Sequence, residues 1–215
     1  MARKDRTGER KIRDQRKNLR VPELGYYLIV TDTEGTERCF FEGLYAALPE
    51  NVQNKIVIKV FEAKTARLID KCIEQLAYDP QFRIPWIVFD RDQVKNFDEI
   101  IEDAENQSIN VAWSNPCFEI WMYAYYGNMP NIIKSWDCCS KFGELYKRKT
   151  GLAYDKADEK LYERLSKTGD EEKAIVIAEQ KYKQCESGGY VKPSQMCPCT
   201  TTHRLVEEIR SKTEA

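Results

Sequence analysis

A chain of 215 residues is long enough to bury one hydrophobic core without disulfide staples, as one domain or one domain with a small appendage. An apolar share of 42% beside 32% charged residues excludes fibrous, collagen-like and wholly disordered classes. The net charge of −1 hides a split: residues 1–20 hold nine Lys/Arg against three Asp/Glu, and the remainder twenty-five against thirty-two.

Residues 1–22 read as a disordered basic arm, polar and without an apolar period. A basic arm on an acidic body fits nucleic-acid contact, docking on an acidic partner, or solubility alone. Pro22 and Gly25 then punctuate the entry to the folded part. Tyr26–Val30 is a short apolar run of buried-strand type. Thr36–Leu48 carries Phe40, Phe41, Leu44, Tyr45 and Leu48 at helical spacing, with Thr36 as the expected N-cap and Pro49 as the stop.

The β-branched run Lys55–Phe61 reads as a second strand, and Thr65–Ala77 as a helix ended by Asp79-Pro80. Ile84–Phe89 is a third strand that runs into Asp90-Arg91-Asp92, followed by a helix marked by Val94, Phe97, Ile100, Ile101 and Ala104. Ile109–Trp113 is a fourth strand, after which Ser114-Asn115-Pro116 is expected to open a helix with Pro116 at its first position. Repeated strand–helix units predict an α/β fold of Rossmannoid type, a parallel sheet flanked by helices. Residues 23–130 would form this core. Residues 131–215 would form a mostly helical extension packed on it, with helices expected over Ile133–Arg148, Lys156–Ser166, Glu171–Lys183 and Thr201–Lys212 and a loop over Gln184–Pro198.

In a parallel sheet the chemistry lies at the carboxyl ends of the strands. Asp32, Glu34 and Glu37 follow the first strand, Asp90 and Asp92 the third, and Asn115 and Glu119 the fourth. Asp90 closes a buried strand, where an unpaired carboxylate is costly, so it needs a cation, a salt bridge or helix amides. With Asp92 two residues on, both carboxylates can meet one Mg²⁺ or Mn²⁺, which prefer oxygen ligands. The plainer alternative is that Asp92 caps the next helix while Asp90 holds a loop amide or an arginine. On one helix, Asn115 and Glu119 would share a face four residues apart.

Eight cysteines and a single histidine offer a further set. No secretory signal is expected, because the charged first twenty residues have no apolar segment behind them. Free thiols in a cytoplasmic protein are therefore expected. Cys39, Cys72 and Cys117 read as small buried hydrophobes. Cys185, Cys197, Cys199 and His203 supply four ligand types that can hold a structural Zn²⁺, with Cys138-Cys139 as possible replacements, although Cys-x-Cys is not the usual knuckle spacing. Trp86, Trp113, Trp121 and Trp136 read as core. Helical spacing keeps Tyr123, Tyr125 and Tyr126 from all facing inward. No Gly-x-Ser-x-Gly elbow and no Gly-Lys-Ser/Thr phosphate loop occurs. No stretch has the length of apolar residues that crosses a membrane.

Three stretches together resemble the RloB/AbiLii-like abortive-infection family, a phage-defence group related to the Toprim domain. They are the run from Leu28 to Leu44, the run Trp86-Ile-Val-Phe-Asp-Arg-Asp92, and the run Ser114-Asn-Pro-Cys-Phe-Glu-Ile-Trp121, with echoes at Tyr154-Asp-Lys156, Tyr162 and Pro198–Val206. The resemblance implies a Toprim-like sheet and a divalent-metal-dependent nuclease subunit of an anti-phage system. It places catalytic roles on Asp32, Glu37, Asp90 and Asp92, with Asp32, Asp90 and Asp92 on Mg²⁺ or Mn²⁺. Asn115, Glu119, Arg91 and Lys156 would line the substrate path, and Lys147 and Arg148 are further candidates for phosphate. DNA or RNA is the implied substrate, and a separately encoded ATPase of the AAA or ABC kind the implied partner. Where the family has Glu-Gly after the first strand this chain has Asp32-Thr33. The shorter carboxylate leaves open a non-catalytic adaptor that binds nucleic acid or nucleotide for such an ATPase.

Overall fold

The computed structural model describes residues 22–32, 35–78, 83–92 and 94–213. Most of the basic arm, Glu34 and the expected Asp79-Pro80 helix stop lie outside them.

Strand β1 (Gly25–Thr31) is an interior strand of the sheet, with Tyr27 to Thr31 all buried. It pairs in parallel with β2 (Ile56–Glu62) on one side and β3 (Arg83–Asp90) on the other. Beyond β3 lies β4 (Asn110–Asn115), also parallel. At the edge, β5 (Cys199–Thr200) runs antiparallel to β4, with Ser114 opposite Thr200 and Asn115 opposite Cys199. The order is β2-β1-β3-β4-β5. The chain leaves β1 toward β2 and returns to its other side as β3. The carboxyl ends of β1 and β3 therefore flank the crevice where open α/β sheets place their ligands.

Period-two alternation divides the strand residues between two faces. Tyr27, Ile29, Ile58, Trp86 and Val88 face one core, and Leu28, Val30, Ile87 and Phe89 the other. The second face is covered by α3 (Leu68–Tyr78), through Leu68 and Cys72, and by α4 (Phe97–Asn106), through Phe97, Ile100, Ile101 and Ala104. The first is covered by α1 (Thr36–Ala46) and α5 (Glu119–Ala124), with α6 (Ser135–Thr150), α7 (Leu161–Thr168), α8 (Glu171–Ser187) and α9 (Thr202–Thr213) from the later chain. Phe40 is the aromatic hub, with Phe41, Phe118, Trp121, Tyr125 and Tyr162 edge-on around it. A short helix α2 (Glu50–Gln53) leads into β2. No helix among the described residues is long and apolar enough to cross a membrane.

Several local expectations change. Gly35, at φ 84, is the N-cap of α1 and Thr36 lies inside the first turn. The left-handed backbone that turns the chain into the helix is what glycine provides at least cost. Strand β4 runs on through Asn115, so Ser114-Asn115-Pro116 does not begin a helix; the Asn115–Pro116 bond is cis and α5 begins at Glu119. Helix α8 extends to Ser187, the expected loop beyond it contains the short turn Pro193–Gln195, and β5 follows directly after it. Trp136 is 69% exposed, because it lies on the outer side of the first turn of α6. Tyr123 and Tyr125 are both buried and Tyr126 half-buried. Opposite sides of α5 can both face inward because the helix is enclosed by the sheet, α6 and α8.

Helix α1 passes close to α7 at Gly43, where a Cβ would stand 2.7 Å from Tyr162 Cβ. Gly43→Ala is therefore expected to lower stability by about 1–3 kcal/mol through overpacking, despite a helix-propensity gain of about 1 kcal/mol. Thermal unfolding followed by circular dichroism measures this, and an unchanged or higher Tm would show that α7 gives way freely.

Candidate functional site

Carboxylates from four elements converge at the strand ends. Asp90 is the last residue of β3, and its Oδ2 accepts the main-chain N–H of Phe118 at 3.3 Å. Glu37, in the first turn of α1, and Glu119, the first residue of α5, are buried at 3% and 1% exposure. Asp32 follows β1, its amide bonded to Val88 O at 3.2 Å and its Oδ2 accepting the Thr65 hydroxyl. Asp92 lies at the exposed rim.

Helix starts explain why two acidic side chains tolerate burial here, since main-chain amides favour negative charge in a first turn. The grouping is nonetheless electrostatically costly. Burial above all, then the Asp90 charge, with smaller contributions from Glu119 and Asp32, pushes the Glu37 carboxyl well above the usual carboxylate range. Its own main-chain amide pulls the other way. Burial, followed by Glu119 and Asp92, pushes the Asp90 carboxyl up to about 8, against the Phe118 amide and Lys156. Glu37 Oε2 is buried and finds no hydrogen-bond partner. A buried carboxylate oxygen left without a donor costs free energy. An orphaned oxygen among mutually repelling carboxylates is the chemistry that a hard divalent cation satisfies.

The Asp90–Asp92 turn is held to β4 and the segment after it. Arg91 N–H donates to Ser114 O at 2.9 Å and Asp92 N–H to Pro116 O at 3.0 Å. Asp92 has φ 22, a conformation uncommon outside glycine. It does not cap the next helix, because α4 begins at Phe97 with Asn96 at the cap position. Asp90 does hold a loop amide, that of Phe118.

The remaining predicted residues divide. Lys156 reaches the cluster, with Nζ 4.0 Å from Glu119 Oε1. Arg91, half-buried, sits between Asp90 and Asp92 on the same turn. Asn115 and Glu119 do not share a helix face, because one ends β4 and the other starts α5. The Asn115 amide instead donates to Pro193 O and Ser194 O, both at 3.3 Å, and so ties β4 to the turn before β5. Lys147 and Arg148 are exposed in the last turn of α6.

The four predicted zinc ligands do not gather. His203 is fully buried, with Nε2 3.0 Å from Glu179 Oε2, and burial holds its imidazole below the usual histidine range. Cys185 and Cys199 touch each other, while the Cys197 thiol turns to Ile132 O at 3.9 Å. Among the described residues, the one group of three or more potential metal ligands within 4.8 Å is Cys117, Glu119 and Cys139.

Two contributors are not placed at the site by periodicity or spacing. Tyr154 donates its hydroxyl to Glu119 Oε1 at 2.8 Å, from a segment without regular structure. Thr65 fixes Asp32 from the turn that precedes α3. Only the Tyr154-Asp-Lys156 echo marked the first, and nothing local marks the second.

Residues 27–209 match a protein-family model described as RloB-like protein. No curated protein and no solved structure matches the chain.

Proposed function

Because the chain belongs to the RloB-like protein family, we propose that its acidic crevice is the active site of a Toprim-like, Mg²⁺- or Mn²⁺-dependent nuclease subunit acting in defence against phage. One observation carries this reading: carboxylates after β1 and on β3, α1 and α5 lie close enough to repel the Glu37 charge, and the buried Glu37 Oε2 has no hydrogen-bond partner. Asp90, Glu37 and Asp32 would draw together to hold the ion, and Asp92 lies at the exposed rim beside them. When bound, a divalent ion neutralises charge on a phosphoryl oxygen and makes water a stronger nucleophile. Burial and the neighbouring carboxylates raise the proton affinity of Glu37, so holding the ion there would release a proton. Glu119, fixed by Tyr154 and beside Lys156, keeps the lysine ammonium at the edge of the crevice, where it and Arg91 can hold phosphate oxygens. DNA or RNA is the proposed substrate, in the cytoplasm, with an ATPase encoded separately as partner.

Labelled DNA and RNA incubated with the purified full chain and Mn²⁺ or Mg²⁺ test the proposal. Cleavage that requires the ion and rises with enzyme concentration is the expected result. The adaptor reading keeps one specific support, the short Asp32 carboxylate already engaged by the Thr65 hydroxyl. Nucleic-acid binding without cleavage, in either ion and with either substrate, would favour the adaptor.

A further inference from the structure

Beside the acidic crevice lies a second donor set of different chemistry. Cys117 stands in the turn between β4 and α5, Glu119 opens α5, and Cys139 lies in the second turn of α6. Ligand atoms of the three lie within 4.8 Å of one another. The two sulfurs are 3.8 Å apart. Two thiolates on one tetrahedral zinc, each at about 2.3 Å, stand about 3.8 Å from each other, whereas a disulfide closes to about 2.05 Å. The sulfur pair is therefore already spaced for a shared ion, and a carboxylate oxygen completes three ligands.

We propose that Cys117, Cys139 and Glu119 form a binding site for a thiophilic divalent cation of the zinc class, separate from the Mg²⁺/Mn²⁺ site and sharing only the neighbourhood of Glu119 with it. The ligands are positioned by the fold. Ser135 Oγ donates to Pro116 O at 3.2 Å, and the Cys117 thiol points to Ser135 O at 3.8 Å, which ties the Cys117 turn to the start of α6. The Tyr154 hydroxyl, 2.8 Å from Glu119 Oε1, orients the carboxylate as outer partners of metal ligands do. Binding forms two sulfur–metal bonds and one oxygen–metal bond and releases the two thiol protons to solvent. Two thiolates and a carboxylate leave one negative charge on the complex, which the Lys156 ammonium, 4.0 Å from Glu119 Oε1, offsets. Cys139 is half-buried, whereas Cys117 is 2% exposed, so the ion enters past Cys139. The fourth position is left to water, the arrangement of three-ligand zinc sites.

Cobalt is the probe, because Co²⁺ takes the same tetrahedral ligands and reports thiolate coordination by a near-ultraviolet charge-transfer band. The metal-free full chain, kept under reductant, is titrated with Co²⁺ and then with Zn²⁺. One equivalent is expected to give the band, and zinc to bleach it. Cys139→Ser should weaken cobalt binding at least tenfold and reduce the band, and Cys117→Ser/Cys139→Ser should abolish it. Cys185→Ser/Cys199→Ser should leave it intact. A wild-type spectrum without a thiolate band overturns the proposal whether or not any variant folds. So does a band that survives the Cys117/Cys139 changes or disappears with the Cys185/Cys199 ones. Asp90→Asn should keep the cobalt band, and a wild type that gives the band but no cleavage counts against the nuclease reading alone.

Discussion

Asp90→Asn is expected to lower metal-dependent cleavage on the order of 10³-fold, as loss of a group that holds the ion and its charge does. The same change should raise the stability of the metal-free protein by about 1–2 kcal/mol. Both effects have one cause. Asp90 sits among Glu37, Glu119 and Asp92, and its burial and their charges oppose its ionisation. Asn keeps an oxygen for the Phe118 amide, so the loop contact at 3.3 Å survives while the repulsion goes. A residue that only pinned the loop would show neither the loss of activity nor the gain in stability.

The pH dependence follows from the same shift. The Asp90 carboxyl titrates near its ordinary value of 3.8 in the unfolded chain and at about 8 in the folded one. Between those values the folded chain holds a proton that the unfolded chain has lost. The stabilisation from that proton is complete below about pH 4 and is lost as the pH rises through about 8. Metal-free wild type should therefore lose stability over this window relative to Asp90→Asn, whereas its affinity for Mn²⁺ should rise as protons leave the cluster. Urea unfolding of both proteins at pH 5, 6, 7 and 8, without and with Mn²⁺, checks the sign. A difference between them that stays flat with pH would remove Asp90 from the set of strained carboxylates.

Much of this geometry was legible in the sequence because it depends on local periodicity. The apolar runs at Tyr26–Val30, Lys55–Phe61 and Ile84–Phe89 became β1, β2 and β3 with small shifts at their ends. A parallel sheet brings its carboxyl ends together, so Asp32, Glu37 and Asp90 could be placed near one another before any coordinates. What local pattern does not carry is where a strand ends and what crosses it. Two residues, Cys199-Thr200, are too short to show strand alternation, yet as β5 they pair with Ser114 and Asn115. That pairing fits the extension of β4 through Asn115, where a helix start was expected. The thiol pair escaped for a related reason: Cys117 and Cys139 meet only because α6 packs against α5. Trp136, apolar and expected inside, lies outside because the turn of α6 that carries it faces away from the core.

Away from the crevice, Glu171→Ala is expected to cost about 3–4 kcal/mol, near the range for breaking a buried pair from one side. Glu171 opens α8 and joins three elements. Its Oε1 accepts Arg210 Nε–H of α9 at 2.6 Å, and its Oε2 accepts the hydroxyls of Tyr125 and Tyr162 at 2.7 and 2.8 Å. Arg210 also donates to the Tyr162 hydroxyl. The Glu171 and Arg210 side chains are 15% and 25% exposed, too enclosed for water to replace the lost partner in full. Removing the carboxylate leaves a cation and two buried tyrosine hydroxyls without their acceptor, and each such loss costs about 1–3 kcal/mol. Glu171→Leu/Arg210→Met, which removes both charges and keeps the volume, should recover the part of the loss that comes from the unpaired cation. Denaturant unfolding of the singles and the double separates the outcomes. A single-variant loss below about 1 kcal/mol would class the pair with exposed ion pairs, and the attachment of α8 and α9 to the core would then rest on apolar contacts such as those of Ala174, Ala178, Leu205, Val206 and Ile209.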